Sequence, residues 1–274
     1  MKISVFSPVK NEADFIGYSI MAVLPYVHEI LYSCAPSTDG TDQLLDYIGE
    51  KYAKGKLTVF RGAEFDFNVH DMAAYNNAYN YLIQRATGDV LWFLHPDMIV
   101  TNPEKIAAVK PGPFAWWTNI TSYAGDYQTR ITRGRCGRWK NMHVKRFGLH
   151  YYGEYGSSNE DMYFRDITGK QYDHHGENFK QYPFAVADSG IQVNHYCELK
   201  NYKRRLEKMK SCLKNQMPGA DEQLINELAA QHPRVTLEPT VDKFGQYEFT
   251  KTDAPIPPVF EKHKEEFDLI LGRK

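Results

Sequence analysis

At 274 residues the chain is long enough for one large α/β domain with an elaboration, or for two small domains. Its 33 Lys and Arg balance 34 Asp and Glu for a net charge of −1, which argues against a general nucleic-acid binder, whose domain is normally strongly basic. No apolar stretch approaches the length of a membrane span and Met1 leads almost directly into the first strand, so a soluble, cytoplasmic protein is expected. The 4 cysteines, Cys34, Cys136, Cys197 and Cys212, lack C-x-x-C spacing, which points away from a zinc knuckle or a disulfide framework and fits a reducing compartment.

Residues Ile3 to Ser7 (ISVFS) form a short β-rich run. The polar loop PVKNEADF follows, and Ile16, Ile20, Val23 and Leu24 then fall at helical spacing. The plan repeats with strand Glu29 to Ser33 (EILYS), loop Cys34 to Thr41 (CAPSTDGT), and a helix carrying Leu44, Leu45, Ile48 and Tyr52 on one face. A third strand, Leu57 to Arg61 (LTVFR), precedes a helix with Met72, Tyr75, Tyr79, Leu82, Ile83 and Ala86. Within Asp89 to Val100 an apolar run opened by Gly88 ends abruptly in His95-Pro96-Asp97, and this segment stopped by a proline reads as a central strand buried on both faces. Such a strand delivers His95 and Asp97 to its carboxyl end. Strands alternating with amphipathic helices predict a largely parallel sheet with helices on both faces. In open sheets of this kind ligands bind outside the carboxyl ends, where a carboxylate can hold a divalent ion against phosphate oxygens. A strand stopped by a Pro-Asp turn is the plainer reading of the same residues.

Pro113 to Ile120 (PFAWWTNI) reads as an aromatic-rich strand in which Trp116 and Trp117 suit either a buried sheet position or stacking on a sugar. From Arg130 to Arg146, RITRGRCGRWKNMHVKR gathers Arg130, Arg133, Arg135, Arg138, Lys140, Lys145 and Arg146. These fit an exposed hairpin with solvated charge, or a phosphate-bearing ligand whose geometry arginine forks match. Glu160 and Asp161, in SSNED ahead of an apolar run, read as first-turn acids of a capped helix or as carboxylates that take a proton from an acceptor hydroxyl. Glu177, in DHHGE, is a further candidate base, whereas His174 and His175 would point to opposite faces of a strand and make a poor metal pair. A short strand ending at His195 is expected before a helix with Tyr202, Leu206, Met209 and Leu213 on one face, stopped at Pro218-Gly219. Then come a short helix with Leu224, Ile225 and Leu228 inward, an extended proline-rich stretch from Ala254 to Val259, and a terminal helix in FEKHKEEFDLILGRK.

The segments SPVKNEADFIGYSI, EILYSCAPSTDGT and ATGDVLWFLHPDMIV together resemble the nucleotide-sugar half of a family-two glycosyltransferase with the GT-A fold. In that family the first strand ends in a K-N-E loop, the second in a D-x-x-S-T-D-G-T loop and the fourth in a D-x-D metal motif. The resemblance implies an α/β, GT-A (Rossmann-like), mostly parallel sheet flanked by helices, with a helical C-terminal elaboration. It implies a nucleotide-sugar-binding half over 1–110, an acceptor-binding half over 111–198 and a helical C-terminal extension over 199–274. It also implies a nucleoside-diphosphate sugar donor, a divalent metal (Mn or Mg), and inverting transfer to a hydroxyl of a glycan, lipid-linked or other acceptor. The implied donor contacts fall on Pro8, Val9, Asn11, Glu12, Cys34, Ser37, Asp39, His95 and Lys203, and the implied metal ligands are Asp97 and His195. Asp161 is the leading base, with Glu160 beside it and Glu177 as the second choice.

Two positions depart from the family pattern. Cys34 stands where the family has the aspartate that touches the nucleoside base, and His95 replaces the first acid of the metal motif. Both changes remove a negative charge, so a catalytically inactive nucleotide-sugar or glycan-binding protein with the same fold is the alternative. His95 keeps the capacity to hydrogen-bond the ribose or, as neutral imidazole, to coordinate a transition metal.

Overall fold

The computed structural model describes residues 1–65, 72–113, 115–133, 137–145, 150–153, 162–165, 171–173, 186–199, 202–217, 219–237, 240–242 and 245–273. Strands β1 (Ile3–Val9), β2 (Glu29–Cys34), β3 (Leu57–Arg61) and β4 (Val90–Phe93) lie parallel in the order β3-β2-β1-β4. Between them run helices α1 (Ile16–Val23), α2 (Thr41–Ile48) and α3 (Met72–Arg85). The period of two along each strand feeds two separate cores. Val5, Ile30 and Trp92 pack with Ile16, Ile20, Leu44 and Ile48 of α1 and α2, while Phe6, Leu31 and Phe93 pack with Tyr79, Leu82 and Ile83 of α3. Burial on both faces accounts for the unbroken apolar runs in these strands. At the entry to β4 the backbones crowd: a Cβ on Gly88 would stand 2.8 Å from the Ser4 nitrogen and 2.9 Å from the Lys2 carbonyl oxygen, so only glycine fits.

The expected central strand is β4, and it stops ahead of His95-Pro96-Asp97. It breaks after Phe93, and β5 (Met98–Val100) starts a new pairing. Pro96 has no N–H to give a ladder, and the turn closes through Met98 N–H donating to the His95 carbonyl at 3.0 Å. Beyond it, β6 (Ala115–Ala124), β7 (Thr129–Arg133) and β8 (Gly137–Val144) extend the sheet, β8 sitting antiparallel between β4 and β6. Strands β9 (His150–Gly153), β10 (Met162–Arg165) and β11 (Gln171–Asp173) form a separate antiparallel sheet. The long β12 (Val186–Glu198) pairs in parallel with β6 and antiparallel with β5. The α/β class and the parallel centre with flanking helices expected from the sequence are present, within a mixed sheet.

The C-terminal stretch is only partly helical. Helices α4 (Tyr202–Gln216), α5 (Glu222–Gln231) and α6 (Pro233–Thr236) share a small core of Met209, Leu213, Ile225, Ala229 and Val235. Two residues expected to face inward do not: Tyr202 is 51% and Leu224 37% exposed. The chain then returns to the sheet as β13 (Thr240–Asp242) and β14 (Gly245–Lys251), the latter pairing with β7, because its alternating, aromatic Q-Y-E-F-T suits a ladder better than a helix. Helix α7 (Pro258–Ile270) seats Phe260 and Phe267 in the same core as α1 and α2, so 199–274 is no separate helical layer. No helix among the described residues is long and apolar enough to cross a membrane.

Candidate functional site

Four strand ends converge at the carboxyl edge of the parallel centre. Val9, Cys34 and Arg61 are register neighbours on β1, β2 and β3, and the turn carrying His95 and Asp97 leaves β4 alongside. The loops after β1 and β2 are stitched together by polar groups that the K-N-E and S-T-D-G-T segments supply. Asn11 N–H donates to Ser37 Oγ at 3.0 Å, and Thr38 N–H to Asn11 Oδ1 at 2.8 Å. Glu12 N–H donates to Thr41 Oγ1 at 2.8 Å. Asp39 ties three donors: Thr41 Oγ1 at 2.6 Å and Thr41 N–H at 3.1 Å on Oδ1, and Ala13 N–H at 3.1 Å on Oδ2. These bonds fix the two loops against each other before any ligand arrives, which is the preorganisation a binding edge needs.

Cys34 is buried and points toward α2, its thiol donating to Asp42 Oδ1 at 3.5 Å. Burial first, and then the Asp42 carboxylate, push the thiol up to about 12, so it remains neutral at physiological pH. Pro8 and Val9 are backbone and packing residues of the buried β1 end, Val9 being in the core.

Asp97 and His195 come from distant parts of the chain and meet. The β12–β5 register sets His195 opposite Met98, Tyr196 N–H donates to the Asp97 carbonyl at 2.9 Å, and His195 Nε2 lies 3.5 Å from Asp97 Oδ1. Both are almost fully buried, Asp97 at 5% and His195 at 4% exposure. A break in the β12–β6 register directly after His195 marks a bulge, the usual device for re-aiming a strand side chain. His95 is half-buried over Phe93, with ring centroids 4.3 Å apart, and lies parallel to His195 at 6.3 Å. Trp139 of β8 closes this wall edge-on, 5.5 Å from His195 and 6.3 Å from His95.

The remaining candidates divide plainly. Trp116 and Trp117 are buried sheet residues. Lys203 is exposed in the first turn of α4, a helix that packs on α5 and α6. Arg130 is exposed on β7, and Arg138 pairs with Asp188 at 3.4 Å. Asp161, Glu160 and Glu177 lie outside the described residues, as do Arg135, Arg146, His174 and His175. Three site residues were not foreseen: Trp139, masked in the sequence by its basic neighbours, and Asp42 and Arg61. Arg61 ends β3 as Cys34 ends β2, and that positional equivalence was the available signal.

No family model and no curated protein matches the chain. Solved structures resemble it distantly. S. aureus TarS 1-349 in complex with UDP-GlcNAc is 13% identical with a TM-score of 0.47, the match covering 84% of this chain and 71% of that one. The mannosyltransferase PcManGT from Pyrobaculum calidifontis, in complex with GDP-Man and Mn2+, is 13% identical with a TM-score of 0.45, covering 99% of this chain and 72% of that one. Mannosyl-3-phosphoglycerate synthase from Rubrobacter xylanophilus is also 13% identical, with a TM-score of 0.43 and coverage of 95% and 90%. Against a longer S. aureus TarS chain the match spans 42% of that chain's length. What these neighbours bind is a property of theirs.

Proposed function

We propose that the protein is a glycosyltransferase that moves a sugar from a nucleoside-diphosphate donor to an acceptor hydroxyl, with inversion and with a divalent metal. The observation that supports this most is the meeting of Asp97 with His195 at the carboxyl edge, beside two interlocked loops of the K-N-E and S-T-D-G-T type. A carboxylate oxygen and an imidazole nitrogen suit Mn2+. Among the described residues no group of three His, Cys, Asp or Glu could hold a metal ion. The pair therefore fits an ion that takes its other ligands from phosphate oxygens and water, as Mg2+-type sites commonly do. Bound there, such an ion would neutralise charge developing on the departing diphosphate.

The chain's own residues would do the rest. Asp97 and His195, 3.5 Å apart, would together hold that ion where it meets the phosphate end of the donor. His95, shelved on Phe93 and Trp139, offers a hydrogen-bonding ring where a second carboxylate would repel the phosphates. Asp161, or failing it Glu160 or Glu177, would take the proton from the acceptor hydroxyl as it attacks the anomeric carbon. The experiment is substitution: Asp97→Ala is expected to lower turnover by about 100-fold or more, the scale of losing one preorganised charge partner in an active site. Full activity in that variant would remove the metal assignment. Tight donor binding with no release of nucleoside diphosphate by the unaltered protein would instead establish the non-catalytic binding protein to which Cys34 and His95 point.

A further inference from the structure

The turn that carries His95 and Asp97 is gripped at both ends by buried side chains to which the reaction just described gives no role. Leu94 to Asp97 take part in none of the described ladders: β4 pairs as far as Phe93 opposite Phe6 and Trp92 opposite Met142, and pairing resumes with Met98 opposite His195. Their course is therefore set by what holds the backbone on either side. The Phe93 carbonyl accepts from Asn141 Nδ2 at 3.0 Å, and the Met98 carbonyl from Ser19 Oγ at 2.8 Å. Asn141 and Ser19 are both 0% exposed. Each has another buried group behind it: Thr118 Oγ1 donates to Asn141 Oδ1 at 2.9 Å, and the Tyr32 hydroxyl hydrogen-bonds Ser19. Because a carbonyl can only accept, these bonds fix which way the Asn141 amide faces and make Tyr32 the donor to Ser19.

Asn141 stands where the ladder of β8 is broken on both sides. Pairing with β4 stops at Met142 opposite Trp92, and pairing with β6 jumps from Met142 opposite Trp116 to Lys140 opposite Trp117, so Asn141 is the extra residue of a β-bulge. A bulge gives up ladder bonds and re-aims a side chain, commonly beside an active site. Here the re-aimed amide takes the carbonyl at the very end of β4, just ahead of His95. Trp139, on the same stretch of β8, stands against both His95 and His195. Ser19 holds the far end of the turn. A helical serine ordinarily turns its hydroxyl back on the preceding turn of its own helix, whereas this one crosses from α1 to the sheet. Leucine and alanine would fill these two places without desolvating a polar side chain. What the amide and the hydroxyl add is direction, since a hydrogen bond selects the atom it holds and apolar packing does not.

We propose that Asn141 and Ser19 are positioning residues of the transfer site, setting from the two ends of the His-Pro-Asp turn where Asp97 stands opposite His195; the inference rests on the nucleotide-sugar reading above, its metal included. The test is calorimetric titration of the full chain with UDP and GDP, each in chelator and again with Mn2+. The unaltered protein is expected to bind one of them more tightly with Mn2+. Asn141→Leu and Ser19→Ala should each cut that Mn2+-dependent gain about tenfold, the lower end of what losing a partner behind a metal ligand costs. Affinity in chelator should stay within about twofold, because the loops after β1 and β2 are tied by bonds of their own. Ser19→Thr keeps the hydroxyl and should restore the gain. If Asn141→Leu fails to fold, the two Ser19 variants carry the test, alanine being the better helix former. A gain kept in full by either variant overturns that residue's role, as does equal weakening with and without metal, or Ser19→Thr behaving as Ser19→Ala; each leaves the donor reading standing. Binding of neither nucleotide by the unaltered protein, or no gain with Mn2+, overturns the reading beneath and the assignment with it.

Discussion

Asn11 holds a φ of 54°, in the left-handed region that side chains other than those of Gly, Asn and Asp rarely enter. What keeps it there is the stitch to the second loop, through its own N–H on Ser37 Oγ and its amide oxygen on Thr38 N–H. The K-N-E segment was readable in the sequence, but the reason for its asparagine was not, because the partners lie in another loop. Asn11→Ala should lose the side-chain bond and keep the strained backbone, costing about 2 kcal/mol, while Asn11→Gly should cost about half as much because glycine relieves the strain. Urea unfolding of both variants checks this, and equal losses would mean that the backbone conformation is not the constraint. Cys34 shows the opposite limit: the departure from the family pattern was plain in the sequence, whereas its neutral, buried state and its tie to Asp42 needed the fold.

Among the elements, α7 shows how far a regular pattern carries. Its helical period was legible in FEKHKEEFDLIL, but the surface it docks on was not, since Phe15, Tyr18 and Gly17 lie at the other end of the chain. Phe260 stacks on Tyr18 at 4.3 Å and stands edge-on to Phe15 and Tyr196, and Phe267 fills the space left by Gly17, where a Cβ would meet its ring at 2.6 Å. Phe267→Ala should therefore cost about 3 to 5 kcal/mol, measured as the shift in the unfolding transition. A loss under about 1 kcal/mol would mean that α7 is not part of the core.

The same helix gives a pH signature. His263, stacked on Phe267 and 3.5 Å from Glu266, has its pKa lowered below 6.5 by burial first, with Lys262 and Lys51 adding to the effect and Glu266 opposing it. The folded state prefers the neutral ring, so this contribution is present above about pH 6.5 and is lost as the pH falls through that value and toward the folded pKa. Burial pulls the Glu266 carboxyl upward, but hydrogen bonds from Lys51, Tyr47, Tyr52 and His263 outweigh it and hold the group down to about 2. Its contribution is present above the ordinary 4.5 and lost only between there and about 2. Melting temperature should thus fall in two steps on acidification, and His263→Gln should remove the upper one. Parallel profiles for the two proteins between pH 7 and 5 would contradict the assignment.

For the whole molecule, legibility follows the range of the interactions. The three expected strands before the His-Pro-Asp segment all form, each starting where the sequence placed it and with ends differing by no more than two residues, because each βα unit is specified by its own local periodicity. The second half depends on pairings between distant segments, such as β12 with β5 and β14 with β7, which no local pattern encodes. His195 could be placed only by the order of motifs, and its meeting with Asp97 is a property of the β12–β5 register. Trp139 joins the site because β8 lies beside β4, again a matter of topology.

Transfer of a glycosyl group at the Asp97–His195 edge is tested most directly by nucleoside diphosphate release. The assay presents UDP-, GDP- and dTDP-sugars to the unaltered protein and to Asp97→Ala, with Mn2+ or Mg2+ and then with a chelator. Metal-dependent release from one donor, abolished by chelator and by Asp97→Ala, is the expected result. Donor that binds without release even when mixed glycan acceptors are added, or release undiminished in Asp97→Ala, would contradict it.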